Sequence, residues 1–221
     1  MVAAGSGSRL GATLPKALVE LGGTPLVRRS IDNLARAGVE RAVVTIPAGY
    51  GAEFDVALLG AEIPVLCVVG GARRQDSVRL GLAALRSGPH SIVLVHDAAR
   101  PLVQSAVVDR VVNALVAGAD AVVTALPVVD SIREVTADGS VVVNRSRLRS
   151  VQTPQGFRLG VLMDAHRHVH DQDVEVTDDA AACEAFGVPV TIVDGHRNTL
   201  KITEPIDLLL AEAILAAEGA P

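Results

Sequence analysis

The 221-residue chain carries a formal net charge of −5, is 49% hydrophobic and contains 2% aromatic residues. Nucleic-acid-binding surfaces combine basic patches with stacking aromatic rings, so this composition argues against a nucleic-acid partner. No signal-peptide pattern is present, and no apolar run approaches the roughly 18 residues of a membrane-spanning helix, so we expect a cytoplasmic globular protein without a membrane partner.

The chain opens with a glycine-rich run, MVAAGSGSRLGATLPK, which ends at Lys16. Backbone N–H groups and nearby cations in such a loop suit a bound phosphate, although a simple helix-entry loop has the same composition. It is not a dinucleotide fingerprint, because Leu10 stands where the last glycine of G-x-G-x-x-G belongs. A phosphate-binding loop and a helix-entry loop both stay open at this point.

Apolar β-branched runs then alternate with amphipathic stretches along the chain. Strands are predicted at 41–47, 64–70, 91–98, 120–128 and 188–195, and helices at 25–38, 76–88 and 104–118. Near-continuous apolar strands separated by helices predict a doubly wound, mostly parallel α/β sheet covered on both faces. No linker divides the chain, so we expect a single domain over 1–221.

The segment 131–150 interrupts this alternation. It reads as two extended strands around an Asp138-Gly139 turn, with Arg145, Arg147 and Arg149 alternating along the second strand. Arg147 and Arg149 are interpreted as charges that protect a sheet edge. A hairpin with so little apolar content is expected to project and to contact a partner surface.

Two further patterns, one of cysteines and one of histidines, are interpreted as structural and given no functional role. Cys67 and Cys183 lie far apart in apolar runs and are predicted to be buried free thiols. His166 and His170 share one helix face in the run HRHVH, but a metal site is disfavoured and a solvated helix end is preferred.

Ligands of open α/β sheets bind outside the carboxyl ends of the strands. The polar residues and glycines that follow the predicted strands, together with the opening run, are Gly5, Gly7, Arg9, Lys16, Gly70, Gly71, Asp76, Ser77, His96, Asp97, Arg100, Asn198 and Lys201. Asp97 fits a metal or hydroxyl ligand, and the alternatives are a helix cap or an ion pair with Arg100. The chain has 20 basic residues of which Lys16 and Lys201 are the two lysines, and a lysine ammonium suits phosphate oxygens as a compact point charge.

Six stretches resemble, in order and nearly in wording, the 2-C-methyl-D-erythritol 4-phosphate cytidylyltransferases: AAGSGSRLGATLPKAL, GGARRQDSVRLGL, VLVHDAARPLV, VQTPQGF, VTDDAAACEAFG and LKITEPIDL. The resemblance covers essentially the whole chain. It implies a nucleotidyltransferase (GT-A-like) fold and a transfer of CMP from CTP to 2-C-methyl-D-erythritol 4-phosphate in non-mevalonate isoprenoid biosynthesis. It also implies Mg²⁺ bound mainly with the CTP phosphates, and a homodimer formed through the 131–150 arm.

The resemblance implies functional roles for the residues that match the family's functional positions. Arg9 and Lys16 match the pair that stabilises charge on the triphosphate, and Arg145 and Lys201 match the residues that orient the attacking phosphate. Nucleotide-binding positions are Ala3, Ala4, Gly5, Gly71 and Ser77. Positions expected around the polyol phosphate are Asp97, Arg100, Ser131, Thr153 and Thr177, with Asp97 also a candidate metal ligand.

Three departures from the family pattern are visible. Met1 and Val2 alone precede Ala3, where the family has a full strand, so either the start is late or the sheet lacks most of that strand. Asn144 stands where an aspartate is expected, and Ser131 replaces a threonine but keeps the hydroxyl. Two alternatives stay open: a cytidylyltransferase for another polyol phosphate such as ribitol 5-phosphate, and a nucleotide-sensing domain without turnover.

Overall fold

The structure is a computed structural model that describes residues 1–5 and 14–218. Within these ranges, the helices are α1 (Leu26–Arg36), α2 (Gly51–Leu58), α3 (Arg74–Ala84), α4 (Ser105–Val116), α5 (Leu159–Asp171), α6 (Asp179–Ala185) and α7 (Pro205–Glu218). The strands are β1 (Glu20–Leu21), β2 (Thr24–Pro25), β3 (Ala42–Ile46), β4 (Val65–Val69), β5 (Ile92–Val95), β6 (Ala121–Pro127), β7 (Ile132–Thr136), β8 (Gly139–Val143), β9 (Arg149–Arg158) and β10 (Val190–Asp194). Short 3₁₀ turns occupy Lys16–Leu18 and Arg145–Arg147.

The predicted strands and helices are confirmed as elements. Each is shorter than the pattern that predicted it, and α3 begins two residues earlier than predicted. The first helix illustrates why the apolar spacing predicted the helices correctly. Its buried residues recur with the helical period, and a glycine sets its end. Leu26, Val27, Ile31 and Leu34 are buried on one side of α1, and Gly38 follows with a φ of +88°.

The sheet is mixed. β10 pairs with β6 and β3 pairs with β4 in parallel, whereas β9 runs antiparallel to both β5 and β6. The prediction of a mostly parallel sheet is therefore corrected at β9, a strand that no predicted element covered. Its sequence, RSVQTPQGFR, lacks a continuous apolar run because glutamine, proline and glycine interrupt it.

Residues 1–3 lie between β3 and β5. Val2 forms parallel bridges to Thr45 and to Asp97. The Val2 amide donates to the His96 carbonyl at 2.8 Å, and the Ala3 amide donates to the Thr45 carbonyl at 2.9 Å. Beside this segment, a groove of about 380 Å³ opens between β3 and β5, where α3 and α4 also line it.

Helices pack on both faces of the sheet, as the alternation of side chains along β6 shows. Ala121 contributes to a core cluster with α3, α5 and α6, whereas Val122 contributes to a cluster with Val111 and Leu115 of α4. At Gly156 of β9, an added Cβ would lie 2.3 Å from the Val111 side chain, so the close approach of α4 requires glycine there.

The predicted hairpin is confirmed over β7 and β8, which pair from Ile132 with Val143 to Thr136 with Gly139. The predicted alternation of Arg145, Arg147 and Arg149 on one strand is wrong. The Asn144 side chain accepts a hydrogen bond from the Ser146 amide at 3.1 Å, and this contact turns the backbone into the 3₁₀ turn.

Cys183 is buried and Cys67 is half-buried, and neither forms a disulfide. The predicted solvated helix end is wrong for His166, which is 2% exposed in α5. None of the described helices has the length and apolar character needed to cross a membrane.

Candidate active site

A cavity of about 440 Å³ lies at the carboxyl ends of β4 and β5. The residues around it come from the segment after Val2, the Lys16–Leu18 turn, the loop before α3, the segment after β5 and the residue Lys201. The predicted site residues that line it are Ala3, Ala4, Gly5, Lys16, Gly71, Ser77, Asp97 and Lys201.

Two glycines let the loop before α3 pack tightly. A Cβ added at Gly70 would lie 2.7 Å from the Ala4 Cβ, and one at Gly71 would lie 2.4 Å from the Asp76 Cβ. The Ser77 hydroxyl accepts a hydrogen bond from the Gly71 amide at 3.0 Å. Ser77 therefore fixes the loop, and a side chain at either glycine position would displace the loop.

The start of α3 is closed by a capping interaction. The Asp76 carboxylate accepts a hydrogen bond from the Arg73 amide at 3.2 Å and forms an ion pair with the Arg73 side chain at 3.0 Å. A hydrogen bond from the Arg73 side chain to this carboxylate lowers the pKa of Asp76. Asp76, which the sequence placed at the site, is thus engaged in shaping the loop.

Asp97 is the anionic centre of the cavity. Its carboxylate lies 2.8 Å from the Lys201 ammonium and 3.5 Å from the Arg74 guanidinium. Burial works to raise the pKa of Asp97, but Arg74 and then Lys201 hold that pKa well below its ordinary value. The carboxylate is therefore ionised and paired with two cations, and the alternative pairing with Arg100 is not the one observed.

Behind Asp97, a chain of hydrogen bonds fixes its backbone. The Thr153 hydroxyl accepts from the Asp97 amide at 3.0 Å and lies 3.1 Å from His96 Nδ1. His96 Nε2 lies 3.1 Å from the Arg100 carbonyl, which can only accept, so the proton is on Nε2 and the Thr153 hydroxyl donates to Nδ1. Burial lowers the pKa of His96 to about 4, in keeping with a neutral ring.

The loop that carries Lys201 is tied to the same region. The Arg100 guanidinium donates to the Thr199 carbonyl at 2.9 Å, and the Gln152 amide group donates to the same carbonyl at 3.2 Å. The Ile202 amide donates to the Ala99 carbonyl at 2.8 Å. These contacts place the Lys201 side chain, which is 40% exposed, over the buried carboxylate.

The remaining predicted site residues that the structure describes do not line the cavity. Thr153 is buried behind Asp97, Ser131 and Arg145 are exposed near the base of the hairpin, and Thr177 is exposed in the loop before α6. The Arg145 guanidinium donates to the Val129 carbonyl. Arg9 and Gly7 lie outside the described residues, and the roles of all these residues stay predictions.

Sequence reasoning missed Arg74, which lines the cavity and whose guanidinium also lies 2.8 Å from Asp179. It also missed the contact of Asp179 with His166 Nε2 at 3.0 Å. The run GGARRQDSV carried a usable signal, since two arginines directly after a pair of glycines put cations at the end of a strand. The pairing with Asp179, about a hundred residues away, had no local signal.

Several comparisons connect this chain with known proteins. The model of a family described as 2-C-methyl-D-erythritol 4-phosphate cytidylyltransferase matches residues 1–217. A protein of that name from Nocardia farcinica is 49% identical over 221 residues, with 99% of this chain and 93% of that protein covered. One of the same name from Frankia casuarinae is 46% identical, with 97% of this chain and 79% of that protein covered.

Solved structures agree with the sequence relatives. The crystal structure of 2-C-methyl-D-erythritol 4-phosphate cytidylyltransferase from Thermus thermophilus matches with a TM-score of 0.81 and 35% identity, covering 97% of each chain. The structure of 4-diphosphocytidyl-2C-methyl-D-erythritol synthase from Anaerococcus prevotii matches with a TM-score of 0.84 and 28% identity, covering 97% of this chain and 95% of that one.

Proposed function

This chain belongs to the 2-C-methyl-D-erythritol 4-phosphate cytidylyltransferase family, and from that membership we propose that it transfers the cytidylyl group of CTP to 2-C-methyl-D-erythritol 4-phosphate. The products are 4-diphosphocytidyl-2-C-methyl-D-erythritol and pyrophosphate. The observation that carries the proposal is the cavity that gathers Lys16 and Lys201, the two lysines of the chain, around the glycine loop at 70–71.

The reaction needs no general base. A phosphate monoester has a second pKa near 6 and is largely dianionic at neutral pH, so one of its oxygens is already a nucleophile. That oxygen attacks the α-phosphorus of CTP in line, a new P–O bond forms, and the bond to the oxygen shared with the β-phosphorus breaks. Catalysis then consists of holding the two reactants in line and stabilising the charge that builds up in the transition state.

Lys16 and Arg9 are proposed to stabilise the charge on the triphosphate. Ala3, Ala4, Gly5, Gly71 and Ser77 are proposed to surround the nucleotide, where the absence of large side chains leaves room for it. Lys16 stands at the start of a 3₁₀ turn whose next residues, Ala17 and Leu18, are buried, so its backbone is anchored. From this anchored backbone the compact Lys16 ammonium can reach the phosphates as a point charge.

The acceptor is proposed to bind beside Asp97 and Lys201. The Lys201 ammonium would orient the attacking phosphate, and the Asp97 carboxylate, which is ionised, can only accept hydrogen bonds and so suits the hydroxyl groups of a polyol. Arg100 and Thr153 support these two residues through the contacts described above. Ser131, Arg145 and Thr177 are proposed to complete the acceptor pocket from the arm and the loop before α6.

Magnesium is proposed to enter with CTP as part of the substrate. Among the described residues, no group of three or more histidine, cysteine, aspartate or glutamate side chains is gathered at one point. Asp97 already contacts two cations, so it does not fit a magnesium ligand in this arrangement. The proposed reaction therefore assigns no step to a metal ion held by the protein alone.

We also propose a single nucleotidyltransferase domain over 1–221 and a homodimer through the 131–150 arm. Val135, Val141 and Val142 of the arm are 85%, 51% and 69% exposed. An isolated two-stranded hairpin is marginally stable in water, and these side chains would be covered by a partner subunit. CTP and a polyol phosphate are water-soluble metabolites, in keeping with a cytoplasmic enzyme.

Pyrophosphate release tests the proposal. Each of the four ribonucleoside triphosphates is combined with either 2-C-methyl-D-erythritol 4-phosphate or ribitol 5-phosphate in the presence of Mg²⁺. We expect release with CTP and the methylerythritol phosphate. If CTP gives pyrophosphate with ribitol 5-phosphate and not with the methylerythritol phosphate, ribitol 5-phosphate replaces it as the proposed acceptor. Release with no combination would favour a nucleotide-sensing domain. The Lys16→Ala variant controls for contaminating activity.

A further inference from the structure

A row of five ionisable side chains runs from the cavity into the interior of the protein. Lys201 contacts Asp97 at 2.8 Å, Asp97 contacts Arg74 at 3.5 Å, and Arg74 contacts Asp179 at 2.8 Å. Asp179 in turn contacts His166 at 3.0 Å. Lys201 and Asp97, at the outer end of this row, have roles in the function proposed above, whereas Arg74 lines the cavity without an assigned role.

Arg74 is the link in the middle. It is the first residue of α3, and its two terminal nitrogens reach different carboxylates, Nη1 toward Asp179 and Nη2 toward Asp97. The contact with Asp97 is made through Oδ1, while Oδ2 of the same carboxylate faces Lys201. A planar guanidinium holds two carboxylates at an angle set by its own geometry, whereas the donors of an ammonium rotate and impose no such angle.

Asp179 provides the fixed point for Arg74. Its side chain is 0% exposed, and its Oδ1 atom lies 3.0 Å from His166 Nε2. Its backbone amide donates to the Gln155 side chain at 3.2 Å, and Gln155 lies on β9. The sheet and α5 therefore hold Asp179, and Asp179 holds Arg74 from the interior side.

We propose that Arg74, anchored by Asp179, is a positioning residue that orients the Asp97 carboxylate and thereby fixes the Lys201 ammonium at the cavity. This inference rests on the proposed function, in which the Lys201 ammonium orients the attacking phosphate. Arg74 acts through Asp97 and needs no contact of its own with the substrate.

The two lysines of the chain allow a test that does not depend on turnover. In protein labelled on lysine with ¹³C and ¹⁵N, two side-chain ammonium signals are expected, and Lys16→Arg assigns them. The hydrogen bond to Asp97 should protect the Lys201 signal from exchange with water. Arg74→Gln should remove this protected signal and leave that of Lys16 in place. A Lys201 signal that stays protected overturns the inference, whatever reaction the protein catalyses.

Kinetics supply the second test. Arg74→Gln should lower kcat/KM for the acceptor about tenfold in the wild-type background, and less than about threefold when Lys201 is already alanine, because interacting residues give non-additive losses. Equal losses in the two backgrounds would show that Arg74 acts independently of Lys201. Wild-type protein that releases no pyrophosphate would instead count against the proposed function, and the ammonium signal would still decide on the positioning role.

Two further variants distinguish a loss of positioning from a loss of folding. Arg36→Gln removes an exposed ion pair with Glu62 and should change neither readout. If Arg74→Gln does not fold, Arg74→Lys keeps the half-buried positive charge, but its ammonium does not set the angle between the two carboxylates. It should lose the protected Lys201 signal as well, and retention of that signal overturns the inference.

Discussion

The Lys201 ammonium lies 2.8 Å from a carboxylate oxygen of Asp97, although the lysine side chain is 40% exposed and the aspartate side chain only 11%. A mobile cation is thus held at one point by an anion that is fixed in the interior. The ion pair with Asp97 therefore restrains the Lys201 ammonium at the cavity.

Lys201→Arg should therefore be a damaging change. The longer, planar guanidinium would displace the positive charge from the position of the ammonium, and small misplacements cost about ten- to a hundredfold in rate. We expect kcat/KM for the acceptor to fall by that amount in steady-state assays. Arg167→Lys, at an exposed ion pair with Asp164, serves as the control. An unchanged kcat/KM would contradict the role of Lys201.

Lys16→Ala should abolish most of the turnover and leave the fold intact. Removing one group that stabilises transition-state charge costs about a hundred- to a thousandfold in kcat. Thermal unfolding should show a Tm close to that of the wild type, because Lys16 is half-buried at a turn held by Ala17 and Leu18. Arg36→Ala is the matched control. A normal kcat for Lys16→Ala would exclude Lys16 from catalysis.

Gly71→Ala should weaken the use of CTP. The new Cβ would lie 2.4 Å from the Asp76 Cβ, so the loop must shift away from the Ser77 hydroxyl that now holds it. We expect at least a tenfold loss, about 1.4 kcal/mol, in kcat/KM for CTP. Gly88→Ala is the control, because nothing lies within 4 Å of its added Cβ. Equal kinetics for the two variants would refute the prediction.

Stability should fall between neutral and mildly acidic pH because of His96. Its pKa is about 4 in the folded protein, against an ordinary value of 6.5. Between these values the unfolded chain binds the extra proton, so the free energy of unfolding decreases as the pH falls from about 6.5 to 4, by about 3 kcal/mol in total.

Urea unfolding across this pH range measures the effect, and His96→Asn should flatten the curve between pH 4 and pH 6.5. Asp97 contributes in a lower range, since its folded pKa lies below the ordinary value and its stabilisation is lost only on further acidification. A His96 imidazole resonance that titrates near pH 6.5 in the folded protein would refute the assignment.

The arm is tested by mixing two inactive variants. If Arg145 serves the partner's site in a two-fold dimer, then Lys16→Ala and Arg145→Ala chains that are unfolded and refolded together should regain about a quarter of wild-type activity. Half of the dimers are then mixed, and each mixed dimer has one intact site of two. If Arg145 serves its own chain, every site carries a lesion and mixing restores nothing.

The sequence was sufficient for the elements whose signal is local. The apolar runs predicted β3, β4, β5, β6 and β10, and the Asp138-Gly139 turn predicted the hairpin of β7 and β8. β9 could not be predicted this way, because its polar and small residues serve contacts with other elements. The Gln155 side chain holds the start of α6, and the missing side chain of Gly156 admits α4.

For the site, the rule that ligands bind at the carboxyl ends of strands brought together Lys16, Gly71, Asp97 and Lys201. It could not reveal that Asp97 is paired with Arg74, or that the Thr153 hydroxyl faces His96, since both contacts depend on tertiary packing. His166 was misread because its partner, Asp179, lies on a different helix.

The placement of Val2 between β3 and β5 has a consequence for how the fold opens. The pair β3–β4 is linked to the rest of the sheet through the backbone hydrogen bonds of residues 1–3, next to a groove of about 380 Å³. The amides of Val43–Ile46 should therefore exchange with deuterium through a local opening of lower free energy than that of β6 and β9. Because Ala3 to Gly5 continue from this link into the cavity, a bound nucleotide should slow that exchange and join the two parts into one cooperative unit.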